Sequence, residues 1–442
     1  MSTHRLSLRR PTQTPLRALL RAPAPPRIRR AGPLILLAAL GLAAAACTNQ
    51  QGSAGQGGTA SVPKNTLPAG SGQTDAGGTV LQPPADDQIR VGFLAPLSGP
   101  QKAVGQALLN AAQMAVFDQP RAKLVLLPRD TKGRPDGAAA AASEAAVEGA
   151  VLLVGPLFAE STRAATPVAK SRGLGVISFS SNRQVAGDGV YILGFTPGEQ
   201  AERIVDYAVG SGLTRLAILA PDNAYGTTVV QGAQRAAGRQ GATILRTERY
   251  APESGDLAAA AAALAGPAAA DGPDAVLVAE GGERLKLIAR ALKTPATQDG
   301  AAAGSSGSSA RLLGTGLWDD ASLQQEPALQ GGWFATSPPD LAASFEDRYR
   351  AIYGEVPPRI AALAYDAVAL AAALAQRPNI APGQKFSRLA LEDPEGYVGY
   401  GGIFRLNPNG TAERGLAVLE VTPNGFLTVD PPPERFTTPA GS

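Results

Sequence analysis

From Ile89 onward the chain alternates short apolar runs with helical stripes, and few folds accept that alternation. "IRVGFL", "KLVLL", "AVLLVGPL" and "GVISFS" are expected as strands. Between them, Val104, Ala107, Leu108, Ala111, Ala112 and Ala115 form one helical stripe, and 136–149 and 161–171 are further expected helices. Strands that are apolar on both faces need cover on both faces, which a parallel sheet with flanking helices supplies. A second series begins near Phe195: helices over 198–209, 226–239, 257–264 and 283–292 alternate with "RLAILAPD", "ATILRTERY", "DAVLVAEGG" and "RLLGTG". The expected fold class is therefore α/β, with two Rossmann-like lobes in tandem.

Between Lys293 and Ala310, "KTPATQDGAAAGSSGSSA" is too polar and too rich in Gly and Ser to pack, and reads as a disordered surface insertion. After "GGWFATSPP" two helices are expected, over 340–353 and 359–376. "GGIFRLNPNGTAERGLAVLEV" then reads as a closing hairpin turning at Asn407-Pro408-Asn409-Gly410.

The formal charge of +3 is set by the first 46 residues, which hold eight arginines and no acid. Removing those eight from the 40 basic residues leaves 32 against 37 acidic ones, a net of −5. No basic face for nucleic acid is implied. The one histidine is His4 and the one cysteine is Cys47. Past residue 47 the chain has neither imidazole nor thiol, which excludes Ser-His-Asp and Cys-His catalysis, His/Cys zinc sites and internal disulfides. No cofactor or metal is expected, and the chain is not read as an enzyme.

Arg30 is the last charge before "AGPLILLAALGLAAAACTNQ". The apolar stretch 33–46 has 14 residues, short of the roughly 20 of a membrane span and suited to a signal-peptide core. Its end, "AAAC", resembles a bacterial lipobox. That resemblance implies a lipoprotein signal peptide over 1–46, diacylation of Cys47 as the mature N-terminus, and anchoring to a bacterial membrane facing the periplasm. Thr48, where no aspartate follows the cysteine, points to the outer membrane over the inner. Residues 47–88, dominated by Gly, Ser, Gln and Pro, read as a flexible tether.

Residues 89–430 resemble a type I periplasmic-binding protein of the leucine-binding family. The resemblance is carried by "VGFLAPLSGP", "LLVGPLFAESTRAATPVAKSRGLGVISFSS", "LAPDNAYG" with Asp222, Tyr225 and Gly226, and "GGIFRLNPNG", in that order. It implies two lobes joined by three crossovers, with a ligand held at the strand C-terminal ends and a hinge closing the cleft. The expected division is 89–195 plus 336–398 in the first lobe, 196–335 plus 399–430 in the second, and 431–442 as a tail. The resemblance names as cleft residues Ser98, Gly99, Phe158, Ala159, Glu160, Ser161, Ser180, Ser181, Asn182, Tyr225, Glu280, Gly281, Trp318 and Asp319.

Members that bind amino acids hold a carboxylate with N–H groups and hydroxyls, and an ammonium with an acid. Here the ligand-binding serine of the first wall falls at Ala159, the threonine at Asn182, the second-lobe aromatic near Gly281, the ammonium-binding acid near Gly316 and the aromatic lid at Val104. Tyr225 is retained. Glu160, Glu280 and Asp319 stand near enough to substitute, or are solvated loop acids; Trp318 walls the cleft or caps a core. "FLAPLSGP", "LLPRD", "VGPL" and "GTGLWDD" resemble the lipoproteins called penicillin-binding protein activators. The expected function is thus a lipid-anchored regulator contacting a peptidoglycan synthase. The alternative is a substrate-binding protein of an ABC importer for branched-chain or other amino acids, with the ABC permease as partner and a small polar ligand in the inter-lobe cleft.

Overall fold

A computed structural model describes residues 88–253, 257–265, 272–293, 309–378 and 380–436. The leader, Cys47, the tether, most of the Gly/Ser insertion and the end of the tail lie outside the described residues.

The first lobe is built on β1 (Ile89–Ala95), β2 (Leu124–Asp130), β3 (Leu152–Val154), β4 (Gly175–Ser178) and β5 (Val190–Ile192). They form one parallel sheet in the order β2-β1-β3-β4-β5. Helices α1 (Lys102–Asp118), α2 (Pro135–Val147) and α3 (Ala159–Ser171) connect them. The α1 stripe is buried at Ala107, Leu108, Ala111, Ala112 and Ala115, with Val104 partly buried at its edge. That face packs on the sheet and on a later helix of small side chains.

The second lobe continues with α4 (Pro197–Gly210), β6 (Arg215–Pro221), α5 (Ala224–Gln240), β7 (Thr243–Tyr250), α6 (Leu257–Ala265), β8 (Ala275–Val278), α7 (Gly282–Lys293), β9 (Arg311–Gly314) and β10 (Trp333–Thr336). The chain then returns to the first lobe through α8 (Pro339–Tyr353), α9 (Ala361–Gln376) and α10 (Arg388–Leu391), whose buried residues join the first core beside α1.

The C-terminal segment divides between the lobes. β11 (Tyr397–Gly399), β12 (Gly402–Leu406) and β13 (Ala412–Arg414) make a small antiparallel sheet, and Phe404, Leu406 and Ala412 lie in the first core. β14 (Ala417–Thr422) and β15 (Gly425–Asp430) extend the second sheet, ordered β15-β14-β10-β9-β8-β6-β7, with β14 antiparallel to β10. The expected assignment of all of 399–430 to the second lobe is therefore corrected. The expected turn is present, since Gly410 N–H donates to the Asn407 carbonyl at 2.8 Å and Gly410 has φ +80°. It joins only β12 to β13, because β14 finds its partner across the fold.

The chain passes between the lobes three times: after β5, after β10 and between β13 and β14. This is the type I periplasmic-binding fold, with mixed α/β lobes on parallel sheets.

Candidate functional site

A cavity of ≈ 410 Å³ opens at the C-terminal ends of β3 and β4. Leu157, Phe158, Ala159, Phe179, Ser180, Ser181, Asn182, Phe195 and Ile360 line it. Open parallel sheets place ligands at these strand ends, and small-molecule sites commonly span roughly 300–1,000 Å³. Five of the expected residues (Phe158, Ala159, Ser180, Ser181 and Asn182) are brought together here. Leu157 and Phe179 belong to the same two loops, while Phe195 comes from the first crossover and Ile360 from the residue before α9.

The wall is fixed from behind by a buried hydroxyl relay. The Ser178 hydroxyl donates to the Pro156 carbonyl at 3.0 Å, lies 2.7 Å from Thr162 Oγ1 and accepts the Ser180 N–H at 3.1 Å. Ser180 Oγ then accepts the Asn182 N–H at 3.1 Å, and Asn182 Oδ1 accepts the Gln184 N–H at 2.9 Å. Gly155 must be glycine: its φ is +96°, and a Cβ would lie 2.0 Å from the Leu94 carbonyl oxygen. α3 starts at Ala159 with no side-chain cap, and the buried Ser161 Oγ has no hydrogen-bond partner among the described residues.

Ser98 and Gly99 do not line the cavity. They form a turn held by Asp130, whose Oδ1 accepts the N–H groups of Leu97, Ser98 and Lys132 at 2.9, 3.2 and 2.8 Å. Asp130 Oδ2 accepts the Ser98 hydroxyl at 2.5 Å. Partial burial pushes the Asp130 carboxyl upward, but these hydrogen bonds prevail and hold it below its ordinary value of 3.8. Gly99 has φ +78° and serves that turn.

The second-lobe residues form a separate group. Tyr225 Oη lies 2.7 Å from Thr315 Oγ1, and burial raises its phenol to about 12, so it is neutral at any physiological pH. Glu280 accepts from Arg284 Nε at 2.5 Å. A Cβ on Gly281 would meet Leu317 at 3.0 Å. Gly316 N–H donates to Gln200 Oε1 at 3.0 Å. Trp318 is fully buried in the second core, 6.3 Å ring to ring from Phe334, and walls no cleft. Its reading as a cleft residue is corrected: an indole that closes over Gly314 is core packing.

What sequence reasoning missed is the set of arginines joining these groups. Arg359, next to Ile360, donates to the Thr336 hydroxyl at 2.7 Å and to the Gly316 carbonyl at 3.2 Å, and pairs with Asp319 at 3.0 Å. Arg183, next to Asn182, pairs with Glu199 at 2.9 Å. Burial pushes the Glu199 carboxyl up, against the opposing pull of Arg183. Behind Phe195, the buried Arg414 guanidinium stands 5.1 Å from that ring and donates to the Leu193 carbonyl at 2.5 Å, tying the end of β13 to the first crossover. Asp366 completes this core by accepting the N–H groups of Tyr400 and Gly401 at 2.7 and 2.9 Å. Only the adjacency of Arg183 to Asn182 was visible as a local signal; the other contacts span more than a dozen residues of sequence.

Comparison with known proteins agrees with this geometry. A family described as periplasmic binding protein matches residues 88–425. A putative branched-chain amino acid ABC transporter structure from Rhodospirillum rubrum superimposes with a TM-score of 0.65 at 21% identity, covering 77% of this chain and 100% of that one. A solute-binding protein of an ABC transporter from R. palustris, in complex with benzoate, gives 0.54 at 18% identity over 80% and 98% of the two chains. An uncharacterized Rickettsia prowazekii protein is 24% identical over 163 residues, 37% of this chain, and the chain spans 43% of that relative's length.

Proposed function

The chain belongs to the periplasmic binding protein family, and we propose that it is a receptor that closes its two lobes on a small ligand and presents it to an ABC permease. Family membership implies a periplasmic location. The observation that carries the proposal is the ≈ 410 Å³ cavity, with lining residues from the first lobe and the first crossover and a border residue, Arg359, that reaches the second lobe. The work is done by binding and closure, without chemistry on the ligand. Cys47 anchors the protein by lipid, and the tether over 47–88 lets the receptor stand off the membrane.

A thermal-shift screen of the full chain with amino acids, aliphatic and aromatic acids, short peptides and muropeptides tests this. A ligand at 100 times its Kd adds about 2.7 kcal/mol and raises Tm visibly. No shift with any of them counts against the receptor.

The second reading is a penicillin-binding protein activator-like regulator that contacts a peptidoglycan synthase through a lobe surface. The long tether after Cys47 favours it, since an activator must reach across the periplasm. Retention of a peptidoglycan synthase on the immobilised full chain, with no small-molecule shift, would establish it over the importer.

A further inference from the structure

The six residues after β15, Pro431 to Phe436, lie past residue 425, where the family match ends. They carry the chain from the second sheet back onto the first lobe, and both ends of the run are held. At the near end, Asp430 closes β15, and its Oδ2 accepts from Arg203 Nη2 of α4 at 2.6 Å. Arg203 Nε also donates to the Leu416 carbonyl at 2.9 Å. At the far end, Phe436 is only 9% exposed and packs on first-lobe residues. The Arg405 guanidinium of β12 stands 4.6 Å from its ring centroid and is itself held by Glu413 at 2.8 Å. Gly396 leaves room for the ring: its φ is +72°, and a Cβ there would lie 2.9 Å from Phe436 Cε2.

Between the two anchors stand three consecutive prolines, Pro431, Pro432 and Pro433. Their rings fix φ and hold the chain extended and semi-rigid. The run also touches the hinge. The third crossover consists of Gly415 and Leu416, between β13 and β14. A Cβ on Gly415 would stand 3.0 Å from Pro433 Cγ and 2.4 Å from Ile403 Cγ2. A Cβ on the neighbouring Gly402 would meet both the Gly415 carbonyl oxygen at 3.0 Å and Pro338 Cδ of the second crossover at 2.9 Å. Hinge opening is a change of φ and ψ at a few such residues. A proline packed on the glycine of a two-residue crossover resists that change. The six residue steps from Asp430 to Phe436 reach at most about 22 Å, which bounds the separation of the anchors.

We propose that residues 431–436 are a fourth connection between the lobes, a strap that limits how far the cleft opens. Phe436 under Arg405 is its first-lobe anchor, Asp430 on Arg203 its second-lobe anchor, and the prolines supply its stiffness. The strap acts on opening itself, so it stands whether the receptor or the regulator reading holds.

Spin labels at Ala103→Cys and Ala224→Cys, exposed positions in the first turns of α1 and α5 on opposite lobes, read the opening by pulsed electron resonance in the full chain carrying Cys47→Ser. Phe436→Ala releases the first-lobe anchor. Replacing Pro431, Pro432 and Pro433 together by glycine keeps both anchors and loosens the run between them. Both variants are expected to shift the inter-lobe distance to longer values and to broaden it, whereas Arg435→Ala, exposed and outside the anchors, matches wild type. Hydrogen exchange gives a second readout: the Gly415 N–H, bonded to the Ile403 carbonyl at 2.8 Å, is expected to exchange at least about tenfold faster in Phe436→Ala. Circular dichroism and thermal melting confirm that the variants fold. Wild-type distances in a folded Phe436→Ala overturn the strap. A longer distance in Phe436→Ala that the triple-glycine variant does not share overturns the part given to the prolines. If Phe436→Ala does not fold, the triple-glycine variant decides, and wild-type distances in it overturn the strap.

Discussion

Arg359 Nη2 stands 3.0 Å from Asp319 Oδ2, and the two residues belong to different lobes. The same guanidinium holds Thr336 and the Gly316 carbonyl, so one side chain at the head of α9 fastens the loop after β9 and the end of β10. Both partners are partly exposed, so the pair contributes little to overall stability, under about 1 kcal/mol. Its effect is expected on the angle between lobes. Arg359→Ala is expected to leave Tm within a few degrees while raising the radius of gyration in small-angle scattering. An unchanged scattering curve would deny it a latching role.

Asp130 is expected to matter for stability rather than for binding. It satisfies three backbone N–H groups and one hydroxyl in the turn after β1. Asp130→Ala should cost about 1–3 kcal/mol in denaturant unfolding. Its folded pKa is depressed below 3.8, so its contribution is complete above that value and is lost as pH falls through the lower folded value. Acid unfolding of the variant should therefore show a shallower pH dependence than wild type.

Asp366 works in the opposite direction. Burial raises its carboxyl to about 6, despite Arg414 and the N–H groups of Gly401 and Tyr400. A raised carboxyl pKa means that the folded state binds the extra proton, so stability falls as pH rises from about 4 to about 6. Asp366→Asn should flatten that part of the stability-pH curve, as read by urea unfolding. An equal slope in both proteins would show that another group carries it.

Gly105 lets α1 lie against the turn that precedes it. A Cβ there would stand 1.9 Å from the Pro96 carbonyl oxygen, a backbone atom that cannot swing aside. Gly105→Ala is expected to cost about 1–3 kcal/mol or more and to loosen the Ser98 turn, seen as faster hydrogen exchange in residues 96–102. Wild-type stability in this variant would contradict the packing described.

Much of the fold could be read locally. Nearly all-apolar runs such as "IRVGFL" and the alanine stripe of α1 leave little freedom, and Asn407 to Gly410 announced its turn. β5 escaped notice because three residues carry no period, and β14 was assigned to the wrong partner because its pairing with β10 is non-local. Phe158, Ala159, Ser180, Ser181 and Asn182 were named through the family resemblance, and the cavity brings them together. Phe195 and Ile360 were not, since a crossover and a helix approach bring them in. Trp318 illustrates the remaining limit: a loop indole reads the same whether it faces a cleft or, as here, Gly314 and Phe334. The acids at positions 160, 280 and 319 were visible, but their arginine partners fixed their meaning.

Ala159 lines the cavity at the first residue of α3, so Ala159→Trp is expected to fill the space. Tm is measured for wild type and Ala159→Trp with and without a saturating small acid from the screen. A receptor with this site shows a rise equivalent to about 2.7 kcal/mol at 100 times Kd in wild type and none in the filled variant, with equal Tm values for the two proteins alone. An equal rise in both proteins, or none in wild type across the whole panel, would contradict ligand binding in this cavity.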